Sequence, residues 1–371
     1  CIVIFMRNRI LLAVKLMKQA VSAINDMKMM LVTPIFMLLP IICVLVWWLY
    51  VCVAMASAGV LLRDRDFYES KFVDYLKEHK IDMTDGHEFL HRLQIFSENL
   101  DRIEQHNKGG HSYKMGVNAF THMTWSEFRE HFALGGTRIP NLRMNPHGPT
   151  LKSSGVKASS IDWTTKGAVT GVKDQGQCGS CWSFSTTGAI EGAYYLKYGN
   201  LESFSEQNLV DCDRIDHGCN GGWMDRAFGY MQRAGGICTE ADYPYVSGTT
   251  GKAGECDSSC SKVKETAPSG YTDVNPNDVG ALETALTQQP VSIAVAVNDA
   301  FQLYKSGVFD GTCGEDVNHG VLAVGFGSDG KDFWKVKNSW GTSWGEDGYI
   351  RIAKDDSNLC HVLDAPSFPS L

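Results

Sequence analysis

The spacing of apolar and polar positions changes three times along the chain, and each change marks a boundary. From Met29 to Leu62 no residue is charged, and Leu, Ile, Val, Trp and Met dominate. Lys28 precedes this run and the small-residue site Ala56-Ser57-Ala58 lies near its end. That is the layout of a secretory signal peptide over 27–58, with a membrane signal anchor as the alternative. Residues 1–26 open on Cys1 and form an upstream segment to which no fold is assigned. Residues 63–132 contain no Pro and carry apolar residues at helical spacing, which predicts helix. Glu88, Arg92, Phe96, Asn99, Ile103 and Asn107 fall at intervals of three or four, so they share one helix face that Gly109-Gly110 should end. A Pro- and Gly-containing stretch over 135–156 reads as an exposed linker open to proteolysis.

Beyond residue 157 helices come first and strands later. Helices are predicted over Cys181–Tyr198, after a capping box Ser203-x-x-Glu206, and from Met224 to Ala234 before Gly235-Gly236. Strands are predicted over Val291–Val297, Val321–Phe326, Phe333–Lys337 and Tyr349–Ala353. This order indicates an α+β fold of two subdomains, a common setting for a cleft with an active site. The expected units are therefore a helical segment with its linker over 59–156 and an α+β domain over 157–371.

Composition narrows the function. The 371 residues are 44% hydrophobic and 20% charged, an ordinary globular balance. A net charge of -8 argues against a nucleic-acid partner. Residues 157–371 hold 16 Lys and Arg against 28 Asp and Glu, while residues 1–156 hold 18 against 14. A basic front and an acidic back attract each other, as a masking segment and its target would. Of twelve Cys, Cys1, Cys43 and Cys52 lie in the first part and nine lie between 178 and 360. Eight of those nine suffice for four disulfides in an oxidising compartment, with one thiol left over. No ligand spacing for a metal site is present, and no cofactor is expected.

The densest chemical signal is Gln175-Gly176-Gln177-Cys178-Gly179-Ser180-Cys181-Trp182, where a loop meets the start of a helix. A helix N-terminus favours a thiolate, so Cys181 suits a nucleophile. The competing reading is a redox pair of Cys178 with Cys181, but no strand precedes it as a redox βαβ unit requires. The acidic half has three histidines, His217, His319 and His361. His319 sits at the start of a predicted strand, and Asn338-Ser339-Trp340-Gly341 follows its neighbour. Asn338 can orient the imidazole and Trp340 can shield that bond from water.

These segments resemble the papain family of cysteine peptidases. The resemblance covers roughly residues 65–368 and includes Asp162-Trp163, Cys219-Asn220-Gly221-Gly222 and the run from Asn338 to Ile352. The strip Glu88, Arg92, Phe96, Asn99, Ile103 and Asn107 matches the family's inhibitory prosegment motif at every position. Gly116-x-Asn118-x-Phe120 matches a second prosegment motif, with His122 where Asp is usual, and both point to the cathepsin L-like branch. The resemblance implies a papain-like fold with a helical left half, a β-barrel-like right half, the cleft between them and a helical prodomain in front. It implies Cys181 as nucleophile, His319 as general base then acid, Asn338 as orienting residue and Gln175 with the Cys181 N–H as oxyanion hole. In this family thiolate and imidazolium form an ion pair before substrate arrives.

Gly221 and Gly222 would hold substrate backbone, with Asn318 and Trp340 as further cleft residues. Trp223, Met224, Ala294, Val317, Gly320 and Ala365 would line an apolar pocket for the side chain two residues before the cut bond. A one-residue slip would place Asp364 at its base. Implied disulfides are Cys178–Cys219 and Cys313–Cys360, with Cys212 joined to Cys256 or Cys260 and Cys238 to the other. His361 stands where Gly is usual, a surface residue without an assigned role. The prosegment would block the cleft, running opposite to substrate. The eight histidines from His79 to His147 would loosen it on protonation, although added charge would also draw it to the acidic domain. The expected product is a monomeric endopeptidase acting on proteins and peptides, made as a zymogen in the secretory pathway for a lysosome, vacuole or secretion. The membrane would serve only for targeting. A catalytically silent relative is the rival class, and the presence of Cys181 and His319 argues against it.

Overall fold

A computed structural model describes residues 2–25, 41–50, 64–134, 149–155, 158–355 and 357–371. The expected signal peptide therefore lies outside the described residues except for 41–50, and most of the linker, 135–148 and 156, lies outside them too, as does residue 157. The chain divides into two units, Cys1–Phe67 and Tyr68–Leu371. In the first, α1 spans Ile2–Asn25 and a helix α2 covers 41–50, both with exposed apolar side chains. Among the described residues no helix is long and apolar enough to cross a membrane.

The prosegment is less uniformly helical than its pattern suggests. It forms α3 (Arg65–Glu78), α4 (Gly86–Lys108), a short strand β1 (Tyr113–Met115) and α5 (Trp125–His131). Its polar strip satisfies the backbone of the segment that doubles back after α4. Asn99 Nδ2 donates to the carbonyls of Thr121 and Met123, and Asn107 exchanges two hydrogen bonds with the backbone of Met115. That is why amides stand among apolar residues there: buried carbonyls need donors. Arg92 reaches the α5 cap, donating at 2.8 Å to Glu127, which with Thr124 forms a capping box.

The chain continues with β2 (Thr150–Leu151), then β3 (Ile161–Asp162), α6 (Cys181–Tyr198), α7 (Glu206–Cys212), α8 (Met224–Ala234) and α9 (Ser247–Thr250). Then come β4 (Gly270–Val274), α10 (Val279–Leu286), β5 (Val291–Val295), α11 (Asp299–Gln302) and β6 (Tyr304–Phe309). Strands β7 (His319–Asp329), β8 (Lys331–Lys337), β9 (Tyr349–Ala353) and β10 (Ser367–Ser370) complete it. Ser203 does not cap α7; Ser205 does, accepting from the Asn208 N–H, and Glu206 turns inward to Lys173 at 2.6 Å. A buried cation outcompetes the cap for that carboxylate.

The helical and sheet-rich halves are present, but the expected barrel is not. The strands form one open sheet in the order β1-β6-β9-β8-β7-β5-β10-β4-β2, with β3 on β7. Closure requires the two end strands to bond each other. Here the ends are three- and two-residue strands from the N-terminal segment, each with one neighbour, which cover the sheet edges instead. Helix α6 runs between the halves, buried from Trp182 to Ala193. Ser185 and Ser292 tie it to the sheet, through the carbonyls of Val321 and Ser185 respectively.

The prosegment shares a core with the sheet half. Ile103, Tyr113, Phe120, Phe128 and Phe132 pack in one cluster with Phe301, Tyr304, Trp340 and Trp344. Gly116 N–H donates to the Leu303 carbonyl, and a Cβ there would stand 2.9 Å from Lys305 carbons, so only glycine allows this approach. Asn118 Nδ2 donates to the Gln302 carbonyl, and Gln302 returns bonds to Phe120 and Met123.

Candidate active site

Cys181 opens α6, and β7 opens on His319. Both line a cleft of ≈ 860 Å³ with Gly221, Gly222, Trp223 and Met224 on one wall and Val317, Asn318 and Gly320 on the other. The Gly320 N–H donates to Cys181 Sγ at 3.3 Å. His319 Nε2 lies 2.7 Å from Asn338 Oδ1. That same oxygen accepts the Ser339 N–H at 2.8 Å, which fixes the amide orientation. Nε2 therefore carries the ring proton, and Nδ1, buried and without a hydrogen-bond partner, is the basic nitrogen. Trp340 stacks on the imidazole at 4.7 Å and is itself fully buried.

Gln175 is clamped on every side. Its N–H donates to the Ser339 carbonyl, Ser339 Oγ donates to its Oε1 at 2.8 Å, and Tyr245 Oη donates to its carbonyl. Its Nε2 donates to the Cys178 carbonyl at 3.0 Å and to the prosegment carbonyl of Phe132 at 3.3 Å. A backbone carbonyl of the prosegment thus occupies a donor beside the thiol. Phe132 stacks on Trp340 and Phe128 meets it edge-on, while Ala133 and Leu134 line the cleft itself.

Burial sets the protonation states. Burial pushes the Cys181 thiol up, opposed by the Gly320 N–H, and burial pulls His319 down to about 4, opposed by Asn338. Both shifts favour the neutral thiol and neutral imidazole rather than an ion pair.

The other expected residues are placed as follows. Trp223, Met224 and Ala294 lie in one core cluster with Val317 and Ala365 packed against it, and a Cβ on Gly320 would approach Met224 Sδ. The Asp364 carboxylate is taken up by His361 Nδ1 at 2.9 Å and Asn358 Nδ2 at 2.6 Å, which gives His361 a partner. Asn318 lines the cleft, but its amide is spent on both backbone groups of Val297. Disulfides join Cys178–Cys219, Cys212–Cys256, Cys238–Cys260 and Cys313–Cys360. Cys178 is thus not bonded to Cys181, and the only free thiols among the described residues are Cys43 and Cys181. Among those residues no cluster could hold a metal ion. Ser339, Phe128 and Phe132 had no assigned task from sequence. Ser339 lay inside a recognised motif, and the two phenylalanines stand four apart on one helical face.

A family model described as papain family cysteine protease matches residues 157–370. The chain belongs to this papain family. The cathepsin propeptide inhibitor domain matches residues 72–128, so the family member is a cathepsin L-like zymogen whose prosegment is an intramolecular inhibitor. "Probable cysteine protease RD21B" of Arabidopsis thaliana is 43% identical over 308 residues, 81% of this chain and 65% of that relative. The chain therefore spans just under two thirds of that relative's length. Among solved structures, a recombinant stem bromelain precursor superposes with a TM-score of 0.75 at 38% identity, covering 82% of this chain and 99% of that one. Digestive procathepsin L 3 of Tenebrio molitor larval midgut gives 0.72 at 40%, again covering 82% and 99%. This papain-family chain is a cysteine-type endopeptidase.

Proposed function

We propose that the enzyme cuts peptide bonds through a thioester on Cys181. His319 Nδ1 takes the thiol proton as sulfur attacks the scissile carbonyl and returns it to the leaving amine; water then hydrolyses the thioester. Asn338 holds the imidazole, and the Gln175 amide with the Cys181 N–H binds the oxyanion. The single observation that carries the reading is the 2.7 Å bond from His319 to Asn338, which leaves Nδ1 as the basic nitrogen. Intact-mass measurement on a slowly turned-over ester should find one acyl group, on Cys181; acylation elsewhere would sink the mechanism. Gln175→Ala should lower kcat by about 10²–10³-fold with a smaller change in KM, as loss of one oxyanion donor does.

Gly221 and Gly222 serve substrate backbone, and Trp223, Met224, Ala294, Val317, Gly320 and Ala365 form the pocket two residues before the cut. Their apolar character favours Leu, Phe or Val there. Paired peptides differing only in Leu or Arg at that position should give the larger kcat/KM for Leu; a preference for Arg would refute the assignment.

Activation follows acidification. His122 pairs with Tyr75 Oη at 2.7 Å inside the prosegment, and burial followed by the Arg92 charge pulls it down to about 4. Burial also lowers His131 and His106. A histidine with a folded pKa below its unfolded value of about 6.5 contributes stability above that value. The contribution is lost as pH falls towards 4, so acid loosens the prosegment despite the overall charge attraction. His122→Gln should flatten the activation rate between pH 6.5 and 4, and an unchanged profile would exclude the residue. Removal of the prosegment near residue 157 leaves the mature domain over 157–371. Four disulfides suit a secretory-pathway protein bound for a lysosome, vacuole or the outside.

A further inference from the structure

The serine ahead of α6 does not cap it. Ser180 occupies the N-cap position, where a serine side chain ordinarily accepts a backbone N–H of the first turn, yet its hydroxyl makes no such bond. Ser180 is fully buried, and its Oγ lies 2.7 Å from Tyr245 Oη instead. Tyr245 Oη in turn donates to the Gln175 carbonyl at 2.8 Å. A phenol has one hydrogen, so with that hydrogen on Gln175 the Ser180 hydroxyl is the donor to Tyr245. The contact of Ser180 Oγ with the Cys178 carbonyl, at 3.4 Å, is the longer one. A chain of hydrogen bonds therefore runs from Ser180 through Tyr245 to Gln175.

The two ends of this chain are the two sides of the oxyanion hole. Gln175 carries one donor on its side chain, and Ser180 is joined through its peptide bond to the N–H of Cys181, the other donor. Tyr245 comes to them on a firm support. Its N–H donates to Glu240 Oε1 at 2.9 Å, and its ring meets Phe184 edge-on at 4.9 Å. The N–H groups of Val246 and Ser247 both donate to Gln207 Oε1, at 2.8 and 2.9 Å, so α7 holds the turn into α9. From the same turn the Gly248 carbonyl accepts the Gln177 N–H at 2.8 Å. A Cβ on Gly176 would stand 2.5 Å from that carbonyl oxygen, so the oxyanion loop lies directly on this support.

We infer that Tyr245 is a positioning residue for the oxyanion hole, its hydroxyl setting the separation of Gln175 and the Cys181 N–H to fit a tetrahedral oxygen. This rests on reading those two groups as the oxyanion donors. Donors placed for the transition state act only there, so loss of the hydroxyl slows the chemical step and leaves substrate binding as it is.

The test uses enzyme obtained by activating the full chain, with kcat and KM measured separately on a peptide amide. Tyr245→Phe keeps the ring against Phe184 and removes only the oxygen. It should lower kcat about tenfold, the scale of one buried hydrogen bond, and leave KM within about twofold. Its Cys181 should react with iodoacetamide at the unaltered rate, because sulfur there displaces iodide from carbon and no oxyanion forms. In a Gln175→Ala background the same change should cost less than about threefold, since one of the two donors it positions is already gone. An unchanged kcat in Tyr245→Phe overturns the proposal, and so does an equal tenfold loss in both backgrounds. A merely structural role would lower kcat and the alkylation rate together, which also overturns it. If Tyr245→Phe does not fold, Ser180→Ala cuts the same chain at its other end and should separate kcat from KM and from alkylation in the same way; a variant that does not do so overturns the proposal. Gln175→Ala alone tests the underlying reading. If its kcat equals that of the unaltered enzyme, Gln175 is not an oxyanion donor and the proposal falls with that assignment. If its kcat falls while Tyr245→Phe is level, only the positioning role fails.

Discussion

Replacing Cys181 by alanine is expected to lower kcat/KM on a peptide substrate by about 10⁶-fold, the scale seen when a catalytic nucleophile is removed. The size follows from the absence of a substitute. Among the described residues the other free thiol is Cys43, in the separate N-terminal unit, and Cys178 is committed to Cys219. His319→Ala should cost a comparable factor, because without the imidazole the thiol keeps its proton. The double variant should cost little more than either alone, since nucleophile and base act as a unit. Unchanged circular dichroism and four intact disulfides would show that the fold survives. A Cys181→Ala enzyme retaining even a hundredth of the activity would contradict the assignment.

The second large effect concerns latency. Phe128 is wholly buried between Phe120, Phe132 and Trp340. Truncating a buried Phe to Ala costs about 3–5 kcal/mol. The prosegment is held by this contact, so Phe128→Ala should shift it from closed towards open by roughly 10²–10⁴-fold at 1.4 kcal/mol per decade. The zymogen should then react with a thiol-directed epoxide at pH 7 at a correspondingly higher rate. Leu90→Ala, at an exposed prosegment position, should leave that rate as it was. Equal rates for Phe128→Ala and the unaltered zymogen would mean that latency resides in the segment beyond Leu134 instead.

Much of the site was legible because its chemistry is concentrated in short runs. The loop-to-helix thiol, the histidine at a strand start and the Asn-Ser-Trp run each carry a requirement that few residues meet. The prosegment strip was legible as one helix face, but not its purpose. Asn99 and Asn107 serve carbonyls of a segment that returns from 22 to 24 and from 8 residues away, a tertiary fact that no helical period encodes. The Ser203 box misled because local capping and a buried ion pair compete for the same Glu206, and Lys173 wins. The barrel misled for a related reason: whether edge strands meet depends on which segments reach the edges, and here β1 and β2 arrive there. The protonation states were invisible as well. Helix-start position argues for a thiolate, while burial of the site argues the other way in the zymogen.

The central claim is that Cys181 is the nucleophile and that the prosegment masks it. Peptide mass mapping after exposure to a thiol-directed epoxide, with and without prior removal of the prosegment, tests both halves together. The predicted result is one adduct, on Cys181, formed rapidly in the processed enzyme, slowly in the intact zymogen and not at all in Cys181→Ala. Equal labelling before and after prosegment removal, or an adduct that persists in Cys181→Ala, would contradict it.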